Sequence, residues 1–195
     1  MLNVIRKSIL PITMLMFWSV QSMAGEVGIK ELKEENARLR AELADFRAAE
    51  AQVQANLALM RGADESMNAR DWDRFREVHA ADVYVTSPDS PEPQTNMDIH
   101  LDVVKAFTDA FPDHQIQLPY KAVFGSGDYI CAVHENGGTF SEPWYLPGGQ
   151  VIQPTGKKYT MTMVTVGKAK DGELIEEMII YDMFSMARQL GLSGE

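Results

Sequence analysis

Apolar positions recur at three spacings along this chain, and each change of period marks a change of structure. A continuous apolar run fills residues 8–20, with Leu15, Met16, Phe17 and Trp18 at its centre. From Gly28 to Met60 the spacing is heptad. With Ile29 at position a, Ile29, Asn36, Leu43, Glu50 and Leu57 fall on a, and Leu32, Leu39, Phe46, Val53 and Met60 fall on d. All five d positions are apolar. Asn36 at a is the polar device that fixes register and favours two parallel strands. Glu35 and Glu42 at g face Arg40 and Arg47 at e across a parallel pair, and contribute a few tenths of a kcal/mol each, roughly. They select orientation more than they stabilise. Glu50 at a loosens the seam before the globular part. The pattern predicts a parallel coiled-coil homodimer; the alternative is a single amphipathic helix lying on its own domain.

Helical spacing continues in Leu57, Met60, Ala63 and Met67, which should face a core, with Asp64 and Glu65 toward solvent. Asn68-Ala69-Arg70 breaks this helix, and Asp71 caps a short one carrying Trp72, Phe75 and Val78. His79 is read as the cation at its C-terminal end. A short strand over 83–86 leads into residues 87–93, where Pro88, Pro91 and Pro93 enforce a loop, either a pocket rim or a connector. A helix over 97–111 buries Ile99, Val103, Ala106, Phe107 and Ala110, and Pro112 stops it. His100 lies beside that stripe and is read as a packing residue.

From His114 the period drops to two. Ile116, Leu118, Tyr120, Ala122 and Phe124 alternate with a partly polar face, and Pro119 places this strand at an edge or a bulge. Strands follow over 129–135, with His134 on the side of Ile130 and Ala132, and over 157–166. Between them a Gly/Pro-rich stretch carries Phe140, Trp144 and Tyr145, as a pocket cover or a satellite cluster. The last strand, 173–182, is apolar on both sides. Leu174, Met178 and Ile180 share a face with Glu176 and Asp182; Ile175, Ile179 and Tyr181 share the other with Glu173 and Glu177. Burial on both faces makes it central. Helices, then a run of antiparallel strands, then a closing helix predict an α+β domain over 53–195. Its curved antiparallel sheet forms a cone over helices, preceded by the coiled-coil helix over 25–52.

Composition changes this picture in two places. The 195 residues carry a net charge of −10, which argues against nucleic acid or an anionic membrane as partner, and a single cysteine, Cys131, excludes an intramolecular disulfide. Arg6 and Lys7, the apolar run and Ser22-Met23-Ala24 have the order of a signal peptide over 1–24, and the run is shorter than the ~20 residues of a membrane span. The mature chain is expected to be periplasmic or secreted and free of the membrane; a retained anchor is the alternative.

Four short motifs then carry a resemblance: Asn68-Ala69-Arg70-Asp71-Trp72-Asp73, Ala110-Phe111-Pro112-Asp113, Pro154-Thr155-Gly156-Lys157, and the ending from Asp171-Gly172-Glu173 through Tyr181-Asp182 to Gln189-Leu190-Gly191-Leu192. In this order they resemble the SnoaL-like polyketide (ester) cyclases of the nuclear-transport-factor-2-like superfamily, over residues 53–192. The resemblance implies a cone fold, frequent dimerisation, an apolar cavity with no metal or organic cofactor, and Asp182 as general acid/base. Thr86 and His134 depart from the family pattern, where His or Asn and Trp are common.

The chemistry expected is proton transfer beside a carbonyl group. Apolar walls from Met178, Ile180 and Phe184 would strip water from Asp182 and raise its pKa. His134 would donate to the developing oxyanion, and Tyr120 or Trp144 would hold a flat, apolar substrate. Against this, Asp182 is equally readable as the cap of the last helix, and His134 as a solvated strand residue. A dimeric binding protein for an apolar small ligand, without turnover, is the rival function.

Overall fold

The computed structural model describes the backbone of residues 10–90 and 92–192 and the side chains among them from Gly28 onward. Of the expected signal segment, residues 1–9 and all side chains lie outside the described residues. The chain divides into two compact units, Met1–Ala48 and Ala49–Glu195.

From residue 10 onward the first unit belongs to one long helix, α1 (Leu10–Ala69). Its heptad stripe stands on the surface, with Ile29, Leu32, Leu39, Leu43 and Phe46 all exposed. Glu35 and Glu42 both reach Arg38 of their own helix, at 2.7 and 3.6 Å. Among the described residues no helix is long and apolar enough to cross a membrane.

In the second unit the end of α1 is followed by α2 (Trp72–Glu77), β1 (His79–Thr86), α3 (Met97–Ala110), β2 (Gln115–Ile116), β3 (Ala122–Ser126), β4 (Tyr129–Thr139), β5 (Trp144–Tyr145), β6 (Val151–Ile152), β7 (Lys158–Lys170), β8 (Glu173–Ile180) and α4 (Met183–Leu190). The main sheet runs β1-β8-β7-β4-β2, with β3 also on β4. It is curved and unclosed, and packs on the helices, which is the α+β cone expected. The sheet is mixed, because β1 lies parallel to β8; the other pairs are antiparallel, as the hairpin turns dictated. β8 sits inside the sheet between β1 and β7, as its two-sided apolar character required. The single strand expected over 114–124 is instead two pieces separated at Pro119, whose missing N–H cannot join a ladder.

One irregularity in β8 decides which side chains face inward. Ala169 of β7 pairs with Leu174, and Lys168 pairs with Glu176, so Ile175 is an extra residue in the ladder. The bulge reverses the alternation along the strand. Leu174 and Glu177, three apart, are both buried, while Glu176, Met178 and Ile180 are exposed. Strict period-two reading places Met178 and Ile180 with Leu174, and the bulge overturns that.

The four sequence motifs prove to be clamps on the cone. Asn68, at the end of α1, holds both backbone groups of Ile116, donating to its carbonyl at 2.9 Å and accepting from its N–H at 2.8 Å. Gln189 of α4 does the same for Thr160 of β7, at 3.2 and 3.0 Å. Asp113 accepts from the backbone and side chain of Thr139. Gly156, at φ +69°, lets its own N–H reach the Phe140 carbonyl while Phe140 reaches Lys157. Beneath them Ala110, Phe111, Phe140, Tyr159, Met186 and Leu190 form one core cluster, and Met60, Phe75, Val83, Val85, Leu101 and Ile130 belong to another.

Removing an amide that satisfies two backbone groups leaves both unpaired. Asn68→Ala is expected to lower unfolding stability by about 2 kcal/mol in urea; a change under about 0.5 kcal/mol would show that β2 is held by other means.

Candidate functional site

A cavity of about 120 Å³ opens between the inner face of the sheet and the helices of the second unit. It approaches the roughly 150 Å³ that accommodates a benzene-sized ring. Its walls are mostly apolar, from Met67, Phe107, Met161, Met163 and Ile179, but all four histidines of the chain reach it. Ser87 and Asp89 of the proline loop border it, so that loop is a rim.

The polar part of the wall is built from three elements. β8 turns Glu177 inward at its bulge. β1 starts with His79, and α3 carries His100 on its first turn. His79 Nε2 lies 3.3 Å and His100 Nε2 3.6 Å from Glu177 Oε2, and all three side chains are buried. Each imidazole is aimed by its other nitrogen. His79 Nδ1 donates to the Phe75 carbonyl at 2.6 Å, and His100 Nδ1 donates to Gln94 Oε1 at 2.6 Å. Gln94 is itself fixed by a two-way backbone bridge to Val85 of β1. His79 thus satisfies a carbonyl of the last turn of α2, as a residue at a helix end should, but its ring is buried in the cavity wall rather than exposed. His100, expected as packing, is buried in the cavity wall.

Burial pulls His79 toward neutrality, but the Glu177 carboxylate, the Phe75 carbonyl and Asp64 outweigh it and hold its pKa above the ordinary value. Burial likewise works to raise Glu177, and the surrounding imidazoles, His79 foremost, hold it below the usual carboxylate range instead. At His100 burial, with His79 beside it, outweighs the pull of the Glu177 charge. Loss of hydration brings it down to about 4, so it is neutral.

Asp64 is the second surprise. Expected on the solvent side, it lines the cavity and accepts a 2.7 Å hydrogen bond from Tyr120. It stands at i+4 from Met60 in the same stripe as Ala63 and Met67, the position a core-facing helix buries. Lost hydration pushes its pKa up to about 7, against the opposing bond from Tyr120 and with the help of nearby Glu177.

The residues expected to form the site divide sharply. His134 lines the cavity and is buried, not solvated. Both its nitrogens are engaged, Nδ1 with Asn136 and Nε2 with Thr165, so it has no free donor for an oxyanion. Tyr120 stands one layer back, behind Asp64. Trp144 packs on Phe107, Phe111 and Phe140 and supports the wall from outside. Met178, Ile180 and Phe184 are exposed, at 51%, 48% and 70%. Asp182 is exposed too; its carboxylate accepts from the Ser185 N–H and caps α4. The greasy hollow expected around Asp182 lies on the other face of the strand, around Glu177.

Fold and cavity together define a protein of the nuclear-transport-factor-2-like type, and the comparisons agree. The family profile for SnoaL-like polyketide cyclases matches residues 57–190, and the chain belongs to that family. Among solved structures it is similar to a candidate SnoaL-like polyketide cyclase of Jannaschia sp. CCS1, at 16% identity and TM-score 0.63, covering 73% of this chain and 95% of that one. It is also similar to IdmH, a candidate polyketide cyclase of Streptomyces antibioticus, at 24% identity and TM-score 0.56, over 70% and 98% of the two chains. A third is AclR, a candidate hydroxylase of Streptomyces galilaeus, at 19% identity and TM-score 0.59, over 73% and 89%. A search of curated proteins finds no match.

The raised pKa of Asp64 has a consequence for stability. The folded chain binds this proton more tightly than the unfolded chain, so the stabilisation is full below about pH 4 and is lost as pH rises toward 7. Asp64→Asn removes that loss. Its melting temperature, compared with the parent chain, is expected to rise more at pH 8 than at pH 5; parallel pH profiles for the two proteins would contradict the enclosure of Asp64.

Proposed function

We propose that this protein moves a proton beside the carbonyl group of a small, ring-sized compound, a cyclase- or isomerase-type reaction, with Asp64 as the general base. The observation that carries this reading is a carboxylate poised at about 7 in the wall of an apolar cavity of ring-sized volume. Family membership supports the reaction type. The carboxylate of Asp64 takes the proton from the carbon next to the carbonyl. The C–H electron pair becomes the new carbon–carbon double bond, and the carbonyl π electrons move onto oxygen. That oxygen faces the His79, His100 and Glu177 wall. In a conjugated enone the Asp64 proton returns to the far carbon of the dienolate, which completes isomerisation; where the enolate attacks a second carbonyl of the same molecule, the Asp64 proton passes to the new alkoxide, which completes ring closure.

The reading also takes the chain as exported, on the apolar segment near its start, and as a parallel homodimer. The unpartnered stripe of Ile29, Leu32, Leu39, Leu43 and Phe46 is the support for the dimer. Leu32→Glu with Leu39→Glu is expected to halve the mass seen by light scattering, and an unchanged mass would remove the zipper from the account.

Deuterium wash-in to five- and six-membered cyclic ketones, followed by NMR, tests the chemistry. Asp64→Asn is expected to slow enzyme-dependent exchange at least ~100-fold, while Asp182→Asn leaves it unchanged. The opposite ordering would return the catalytic role to the strand end. Saturable ketone binding with no exchange in the parent chain would favour the non-catalytic binding protein.

A further inference from the structure

His79, His100 and Glu177 are arranged as ligands, and we propose that they hold one divalent first-row transition-metal ion, of the zinc or iron(II) class, facing the cavity. Three features carry this. The first is the hydrogen-bond inventory. The Phe75 carbonyl can only accept, so His79 Nδ1 carries a proton; Gln94 Oε1 likewise accepts from His100 Nδ1. Both Nε2 atoms are thereby turned toward Glu177 and are fully buried; neither makes a well-aligned hydrogen bond, although His79 stands at ion-pair distance, 3.3 Å. On His100 that nitrogen faces a carboxylate oxygen 3.6 Å away with no hydrogen bond between them. Buried polar atoms are rarely left so. A cation between them satisfies both.

The second feature is distance. Metal–ligand bonds of about 2.0–2.2 Å at tetrahedral angles separate neighbouring ligand atoms by about 3.3–3.6 Å. The two separations to Glu177 Oε2 are 3.3 and 3.6 Å, and all three ligand atoms lie within 4.8 Å of one another. The third is what lies behind the ligands. A metal-binding imidazole characteristically gives its other N–H to a carbonyl or carboxylate, which fixes the ring. Both imidazoles here do so, and the Gln94 partner is anchored in turn by Val85. Two histidines and one carboxylate leave coordination positions open. Since all three residues line the cavity, those positions face whatever enters it.

The role of the ion rests on the proton-transfer reading above. That reading leaves the developing oxyanion opposite Asp64 without a free neutral donor, since His134 is engaged on both sides. An ion at this wall would bind the carbonyl oxygen and stabilise its charge as a Lewis acid. Whether the ion binds is a separate matter, and the test keeps the two apart.

The full-length chain, stripped with chelator, is titrated with Co²⁺ and then Zn²⁺. The expected result is one equivalent of Co²⁺ per chain with intense visible bands of four- or five-coordinate cobalt, displaced by Zn²⁺. The melting temperature should rise with Zn²⁺, fall again with EDTA and ignore Mg²⁺. His100→Ala, checked for folding by circular dichroism, should lose both the bands and the zinc-dependent rise. Weak six-coordinate cobalt bands with no zinc effect on melting would overturn the proposal, leaving a proton-sharing cluster only. So would a His100→Ala protein that is folded and still binds cobalt with the same spectrum. Tight metal binding without ketone exchange would sink the proton-transfer reading and leave the metal site standing; exchange with no cobalt or zinc binding would sink the metal site and leave the proton-transfer reading.

Discussion

A carboxylate turned into a cavity between two imidazoles is the constraint from which the rest of this site follows. Burying a charge costs several kcal/mol, roughly, unless partners replace its water. Glu177 is 8% exposed, and its neighbours are His79 and His100 at 3% each. The bulge at Ile175 turns it inward, and the parallel pairing of β1 with β8 brings the start of β1 alongside, where His79 pairs with Leu174. The first turn of α3 supplies His100. Just after the proline loop comes Gln94, whose backbone bridge to Val85 aims the second imidazole. Elements far apart in sequence thus converge on one oxygen atom.

Much of the scaffold was legible in the chain. Period-two patterning located most strands of the main sheet, two-sided apolar character made β8 internal, and Asp71 read correctly as a helix cap, while for Asp182 the cap was only the alternative to a catalytic role. The site was less legible. A single extra residue in β8 reverses the alternation and exchanges the two faces, so the wall expected from Met178 and Ile180 is solvent-facing. Residue pattern does not announce a bulge. Other signals were present. Glu177 is a charged residue within a strand apolar on both sides, the same reasoning that drew attention to Asp182. Asp64 occupies the i+4 position of an apolar stripe, and its charge led to a solvent assignment that the helix phase contradicts.

The division of labour between motif and site is instructive. The motifs that identify the family, through Asn68, Asp113, Gly156 and Gln189, satisfy backbone groups at the ends of strands and hold the cone open. The polar wall draws on residues outside them, His79, His100 and Asp64, together with Glu177. Family membership therefore specifies the vessel, and the chemistry has to be argued from what lines it. The departure noted at His134 fits this: it joins Asn136 and Thr165 in a hydrogen-bonded set that ties β4 to β7 in the cavity wall.

The central claim is that the His100 ring is aimed, through Gln94, to present a bare nitrogen to Glu177. Nitrogen-15 NMR of the histidine rings, in metal-free protein at neutral pH, reads this directly. The account predicts His100 as the neutral Nδ1–H form, its ring proton protected from water and its Nε2 shift that of an unprotonated nitrogen. A His100 carrying its proton on Nε2, or exchanging freely with solvent, would contradict it.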